Sequence, residues 1–206
     1  MHTNPPIKTL ADIGRKIFPV RLAVGLLAVL AGLATLHPVP FFGFGYRIVH
    51  ALALALISAG LALRAWGAGS AGKHTRSGII EATQLSTGGA FAYVRNPIYL
   101  GSIAIGFGMS ALIGDPVAYI LTCAAFGFLY FSIVPAEEEF LSREFGEQYR
   151  AYKLAVPRLL PRFNAFPDAH KCPFIWKAVR GELLVVLLLT GIYCALLCEN
   201  YLRHTG

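Results

Sequence analysis

Residues 96–139 read NPIYLGSIAIGFGMSALIGDPVAYILTCAAFGFLYFSIVPAEEE, and the order of these residues decides the fold. Asn96 is a favoured helix N-cap, and Pro97 suits the first helical position, where its missing N–H leaves nothing unpaired. An apolar run over 98–113 follows, then Gly114-Asp115-Pro116, then a second apolar run over 117–134 that meets Pro135 and three glutamates. The break allows only a tight turn, so the two runs predict an antiparallel helical hairpin. Its entrance, Arg95-Asn96-Pro97, and its exit, Glu137-Glu138-Glu139, then lie on one side.

Outward from the hairpin, further apolar stretches cover 20–36, 48–66 and 183–197. Each of the five approaches the roughly 20 residues that cross a bilayer. The stretches 98–113 and 183–197 are short and need flanking residues or local thinning. Hydrophobic residues make up 56% of the chain and charged ones 14%, against about 25% in soluble domains. The expected fold is all-α: a polytopic integral membrane helical bundle of about five transmembrane helices, forming one membrane domain over 1–206. Within it, 1–86 holds the N-terminal spans and a loop, 87–163 the hairpin and its tail, and 164–206 a basic linker and the last span. The segment 67–95 is polar and glycine-rich without a strong period, which is long for an idle connection. Beyond the fourth span, 141–152 reads as an amphipathic helix. Pro157 and Pro161 end it and force an extended segment that can lie against the helix it leaves.

The net charge of +7 would suggest nucleic acid in a soluble protein. Here 16 of the 18 Lys and Arg residues fall on one side if five spans are drawn, with only Arg47 and Arg203 opposite. The positive-inside rule then places the N-terminus and both long polar segments in the cytoplasm, with a bacterial inner or plasma membrane as the expected address. Basic charge is thus a topology signal first and an attraction to membrane lipids second, with no nucleic-acid partner expected. Cys123, Cys194 and Cys198 fall in spans and Cys172 on the cytoplasmic side, so no disulfide framework is expected. Cys194 and Cys198 share a helix face but have no His or carboxylate partner, so no metal site is expected and the thiols read as small packing groups. His37 and His50, at span edges, read as interfacial or packing residues. The polar lead over 1–19 does not read as a cleavable signal peptide.

Three features converge on the cytoplasmic mouth of the hairpin: Arg95-Asn96-Pro97-Ile98-Tyr99, Gly106-Phe107-Gly108 and the glutamate triplet. Each has an ordinary explanation. Small residues inside a membrane helix usually serve close packing. Glutamates just outside a span are usually solvated, and successive helical residues diverge by about 100°, so at most one or two of the three can face a site. Arg95 alone would be a snorkelling residue. Spacing leaves both readings open.

The run from 87 to 163 resembles the isoprenylcysteine carboxyl methyltransferase family and, more distantly, the phospholipid N-methyltransferases. The residues that carry the resemblance begin with Gly88-Gly89, Tyr93-Val94-Arg95-Asn96-Pro97-Ile98-Tyr99-Leu100-Gly101. After the hairpin they continue with Glu137-Glu138, Leu141, Phe145-Gly146, Tyr149, Tyr152, Val156-Pro157-Arg158 and Leu160-Pro161. The resemblance implies an S-adenosylmethionine-dependent integral membrane methyltransferase whose acceptor is lipophilic (prenylcysteine-like, phospholipid or other lipid) and enters sideways from the bilayer. It implies that Gly106 and Gly108 let the helix backbone approach the cofactor. Glu137, Glu138 and Arg95 would form the reaction site, with Asn96, Tyr99, Tyr149 and Arg158 also lining the cofactor pocket. The chain departs from the pattern in two places. Asn96 stands where many relatives have His, and residues 131–136 lack the basic residue that eukaryotic prenylcysteine enzymes carry before the glutamates. A sterol-reductase-type enzyme using NADPH shares a similar hairpin, but with a more basic, Trp-containing tail. A non-catalytic binding protein on the same scaffold is the third class. Neither the acceptor, nor the atom methylated, nor the oligomeric state is implied.

Overall fold

The computed structural model describes residues 44–71, 84–170 and 173–205. They form four α-helices: α1 (Phe44–Ala71), α2 (Pro97–Ile113), α3 (Pro116–Ala155) and α4 (Trp176–Thr205). One turn of 3-10 helix, Gly89–Ala92, lies between α1 and α2. The segments Arg47–Ala71, Pro116–Ala155 and Trp176–Cys198 are long and apolar enough to cross a membrane, and α2 is a shorter apolar helix of 17 residues. The chain is therefore an all-helical membrane protein. The apolar stretch at 20–36, together with His37 and Cys172, lies outside the described residues.

Glycines set the closest approach between helices. A Cβ at Gly60 would lie 2.6 Å from the carbonyl oxygen of Gly101, and one at Gly101 would lie 2.6 Å from that of Gly60, so the backbones of α1 and α2 cross in direct contact. Seven residues along α2, on the same face, Gly108 meets Ile57 and the Ala53 carbonyl of α1. Such crossings are how membrane helices gain packing energy when lipid offers no hydrophobic drive. Ala53, Ile57, Ile105, Met109 and Leu112 form the core around this seam, with Ile192 and Leu196 of α4. Buried polar contacts fix α4. The Arg64 Nε donates to Glu182 Oε2 at 2.8 Å and its Nη2 to Oε1 at 3.2 Å, while Nη1 donates to Ser102 of α2. At the other end His50 Nε2 and Tyr193 Oη are 2.8 Å apart. Both residues thus have specific partners that their sequence positions did not suggest.

The hairpin forms as its turn residues dictate. Gly114 closes α2 in the left-handed region at φ 74°, its N–H donating to Ser110 O at 2.9 Å. Asp115 caps α3 by accepting from the Val117 N–H at 2.7 Å. Ser110 and Thr122 hydroxyls bridge the two helices at 2.8 Å.

Several expectations are corrected. The fourth span and the amphipathic segment after it, read as separate, are one helix: α3 runs through Pro135 to Ala155, at the cost of the one N–H that proline lacks. The interruption comes at Gly146, with φ 49° and ψ −123°, a conformation open to glycine alone at low cost. The last helix starts at Trp176, so the linker after 163 is shorter than the sequence suggests and the final span is not short. Residues 67–71 belong to α1. Cys123, Cys194 and Cys198 are exposed on the outer faces of their helices and do not pack inside.

The chain after Val156 is extended, as its prolines require, and lies against the helix it leaves through Arg158 on Glu138 and Phe166 on Tyr152. It pairs with the segment before α2: Arg95 N–H donates to Pro157 O at 2.9 Å, Arg162 N–H to Tyr93 O at 3.0 Å and Phe166 N–H to Ala92 O at 2.9 Å. Leu85, Ala92, Tyr149, Tyr152, Val156 and Phe166 form a second core beneath this pairing.

Candidate active site

The entrance and exit of the hairpin meet at Glu138. One turn past Val134 on the buried face of α3, its carboxylate is only 5% exposed. Arg158 grips it as a fork, Nε to Oε1 at 2.9 Å and Nη2 to Oε2 at 2.6 Å. Two further cations complete the surroundings: Arg95 Nη2 lies 3.3 Å from Oε1 and Lys153 Nζ 3.5 Å from Oε2. Bidentate, charge-assisted contacts of this kind are the strongest that side chains make. The hydrogen bond to Glu138 is the main effect holding the Arg158 guanidinium above its ordinary value, against partial burial.

Each cation is placed by the pairing of tail and entrance. Arg95 sits between its own N–H bond to Pro157 and an Nη1 bond to the Lys153 carbonyl at 3.1 Å. Asn96 occupies the N-cap position of α2, but its side chain does not cap the helix. Its Nδ2 donates to the Arg158 carbonyl at 3.2 Å, holding the tail on the hairpin. Tyr99, one turn into α2, donates its hydroxyl to Glu137 Oε1 at 3.0 Å. Glu139 turns outward and pairs with Arg143 in solvent. The triplet thus divides as helical geometry requires: one residue buried, one half-buried, one outside.

The cluster is not electrically balanced. Among the described residues, Arg95, Lys153 and Arg158 face the single carboxylate of Glu138, three cations to two carboxylates if Glu137 is counted. Arg95 has a side chain only 9% exposed, and its Nε is buried without a hydrogen-bond partner. A buried donor left unmade costs about 1–3 kcal/mol, so such an atom marks a place where an outside acceptor fits.

The structure brings together Arg95, Asn96, Tyr99, Glu137, Glu138 and Arg158. The Tyr149 ring is buried in the second core against Tyr152, and the charge of Glu138 acts on its hydroxyl. Gly106 and Gly108 lie elsewhere. A Cβ on Gly106 would meet Phe126 of α3 at 2.4 Å, and Gly108 faces α1. Gly106 is ten residues into the chain from Asn96, about 15 Å along the helix. Two members of the cluster were not singled out from the sequence. Lys153 stands 15 residues after Glu138, beyond the Gly146 kink that breaks helical register. Tyr130 precedes Glu138 by eight residues on the same helix face, and the charges of Arg158, Glu138 and Arg95 all act on its hydroxyl.

Arg95, Asn96, Tyr99, Tyr130, Glu137 and Glu138 fall within a match to a known family, and Lys153 and Arg158 lie just beyond it. The family described as phospholipid methyltransferase matches residues 48–148, just under half of the chain. The protein-S-isoprenylcysteine O-methyltransferase of Schizosaccharomyces pombe is 32% identical over 77 residues, 37% of this chain and 33% of that protein. Protein-S-isoprenylcysteine O-methyltransferase B of Arabidopsis thaliana is 29% identical over 84 residues, 41% of this chain and 43% of that protein. The chain thus spans less than half the length of either relative. The resemblance drawn from the Arg95-to-Tyr99 entrance and the Glu137-Glu138 exit is borne out: this chain is similar to the isoprenylcysteine carboxyl methyltransferases and carries the phospholipid methyltransferase pattern from α1 through the Gly146 kink.

Proposed function

We propose that the chain is an S-adenosylmethionine-dependent membrane methyltransferase acting on a lipophilic acceptor. The reading is supported by the family matches and rests on one observation above all: a buried carboxylate with an excess of cations, beside a buried Arg95 Nε without a partner, where both ends of the hairpin meet. The donor set fits the cofactor. The surplus positive charge of Arg95, Lys153 and Arg158 suits its carboxylate, and Glu137, already aligned by Tyr99, suits its ammonium group. Once bound, the cofactor supplies a methyl group activated on a sulfonium. The chain's own contribution is placement and exclusion of water, the main sources of rate in an in-line displacement. The extended tail, held by Asn96 and by the backbone of residues 92–95, closes the site from above. Glu138 keeps three cations in one place, and so acts as the organiser of the pocket more than as a ligand for a positive group. An amine acceptor could give its proton to Glu137, whereas a carboxylate acceptor needs no base.

In this reading five spans cross a bacterial inner or plasma membrane, with the N-terminus and the site in the cytoplasm. Tyr149 and Tyr130 line the lower wall. Gly106 serves the cofactor only through the close packing of the hairpin, and Gly108 only through the packing of α2 on α1. The test is a thermal shift on the purified protein, followed by labelled methyl transfer into a lipid extract. S-adenosylhomocysteine raises the unfolding temperature and NADPH does not. Protection by NADPH alone would mean a reductase, and protection by neither, with no label transferred, would leave only a binding scaffold.

A further inference from the structure

The tail carries a surface that the site does not use. Leu154, Leu160 and Phe163 are 83%, 81% and 100% exposed, although each is large and apolar. Arg162 donates from Nη1 to the Ala155 carbonyl at 3.0 Å, which brings the end of α3 beside residues 162 and 163. From 150 to 163 the chain has four basic residues, Arg150, Lys153, Arg158 and Arg162, and no acidic one. Arg158 and Lys153 are held by Glu138 and Arg150 by Glu147, which leaves Arg162 as the one of the four with no carboxylate among the described residues. Exposed apolar side chains beside such a cation are the chemistry of the zone between water and acyl chains, where apolar groups insert and cations meet anionic headgroups.

The fold places the surface at that depth. Residues 157–162 are hydrogen-bonded to residues 93–96, through Arg95 N–H to Pro157 O, Arg162 N–H to Tyr93 O and Asn96 Nδ2 to Arg158 O. Pro97 is the first residue of the apolar helix α2. The tail therefore lies level with the point where the chain passes from polar to apolar. We propose that residues 154–163 are a membrane-interface surface, with Leu154, Leu160 and Phe163 seated in the headgroup layer of the leaflet beside α2 and Arg162 on anionic lipid. The surface is independent of the methyl-transfer reading.

The test uses the full chain in nanodiscs, with Cys123, Cys172, Cys194 and Cys198 replaced by alanine and a bimane label at Phe163→Cys or, as a second position, Leu160→Cys. The exposed acidic position Asp168→Cys is the aqueous reference. Lipids brominated in the acyl chain quench the Phe163 and Leu160 labels roughly twofold more than the reference, and iodide quenches them less. Quenching by brominated lipid deepens when about one third of the phosphatidylcholine is replaced by phosphatidylglycerol. Labels open to iodide at both positions would overturn the proposal, because the surface would then stand in water. Labels shielded from iodide but untouched by brominated lipid would also overturn it, in favour of a second copy or another protein. Equal quenching in both lipid mixtures would remove the anionic partner, and the proposal with it.

Discussion

Two buried arginine–glutamate pairs lie in this molecule, and their surroundings differ: the second also draws Arg158 and Lys153, 43% and 44% exposed, from the surface. Arg64 and Glu182 are 11% and 7% exposed and pair across α1 and α4, and Arg64 also donates to Ser102. Arg95 and Glu138 are buried to the same degree, yet there one carboxylate meets three cations and one donor goes unmet. Burial cannot tell the two apart; stoichiometry can. A balanced buried pair does little for stability relative to an apolar pair, but it fixes register and penalises the loss of either partner. A buried surplus of one sign is costly until something from outside neutralises it. Among the described residues, the cations gather around Glu138 and not around Glu182.

The comparison is most exposed to Glu138→Gln. Removing the shared carboxylate leaves Arg95 and Arg158 facing each other with no counter-charge, at about 3–5 kcal/mol of stability. Methyl transfer falls on the order of 100-fold or more, equivalent to about 2.7 kcal/mol. Labelled transfer and thermal unfolding measure both losses, and unchanged turnover would remove Glu138 from the mechanism. Next in size, Arg64→Gln costs about 3–5 kcal/mol of stability, while Arg64→Met combined with Glu182→Leu recovers most of it. The affinity of the folded fraction for S-adenosylhomocysteine, read by calorimetry, stays unchanged in both variants. A large fall in that affinity would mean that the two clusters are not separate in function. Arg158→Lys sharpens the contrast further, because it keeps the charge and loses only the fork. It should weaken cofactor binding about fivefold, or about 1 kcal/mol. The smallest effect belongs to Glu139→Gln, whose partner Arg143 is 70% exposed. Stability should move by no more than about 0.5 kcal/mol and activity not at all.

The hairpin was legible because its signals are local. Asn96-Pro97, Gly114-Asp115-Pro116 and two apolar runs each dictate a backbone state without reference to distant residues. The meeting of Arg95 with Glu138 follows from that antiparallel geometry, and so was also readable. What the sequence did not disclose depends on contacts across long separations. Lys153 reaches Glu138 only because Gly146 redirects α3, and a lone glycine before Glu147 carries no such message. Pro135 did not say whether the helix would continue, since a proline within a long apolar helix can be accommodated at the loss of one hydrogen bond. Arg64 read as one more basic residue at a span edge, because nothing near it in sequence announces Glu182, 118 positions later. Gly106 and Gly108 have the same composition signal whether they face a ligand or a neighbouring helix, and Phe126 and Ile57 occupy the space they leave.

The strap of backbone bonds between residues 92–95 and 157–166 also fixes an order of events during synthesis. α2 and the apolar part of α3 are made before the tail, so a newborn hairpin holds Arg95 and Glu138 without the Arg158 fork that later surrounds them. The surroundings of Glu138 are thus the last part of this half of the molecule to close, and a chain truncated before residue 157 lacks both the strap and the fork.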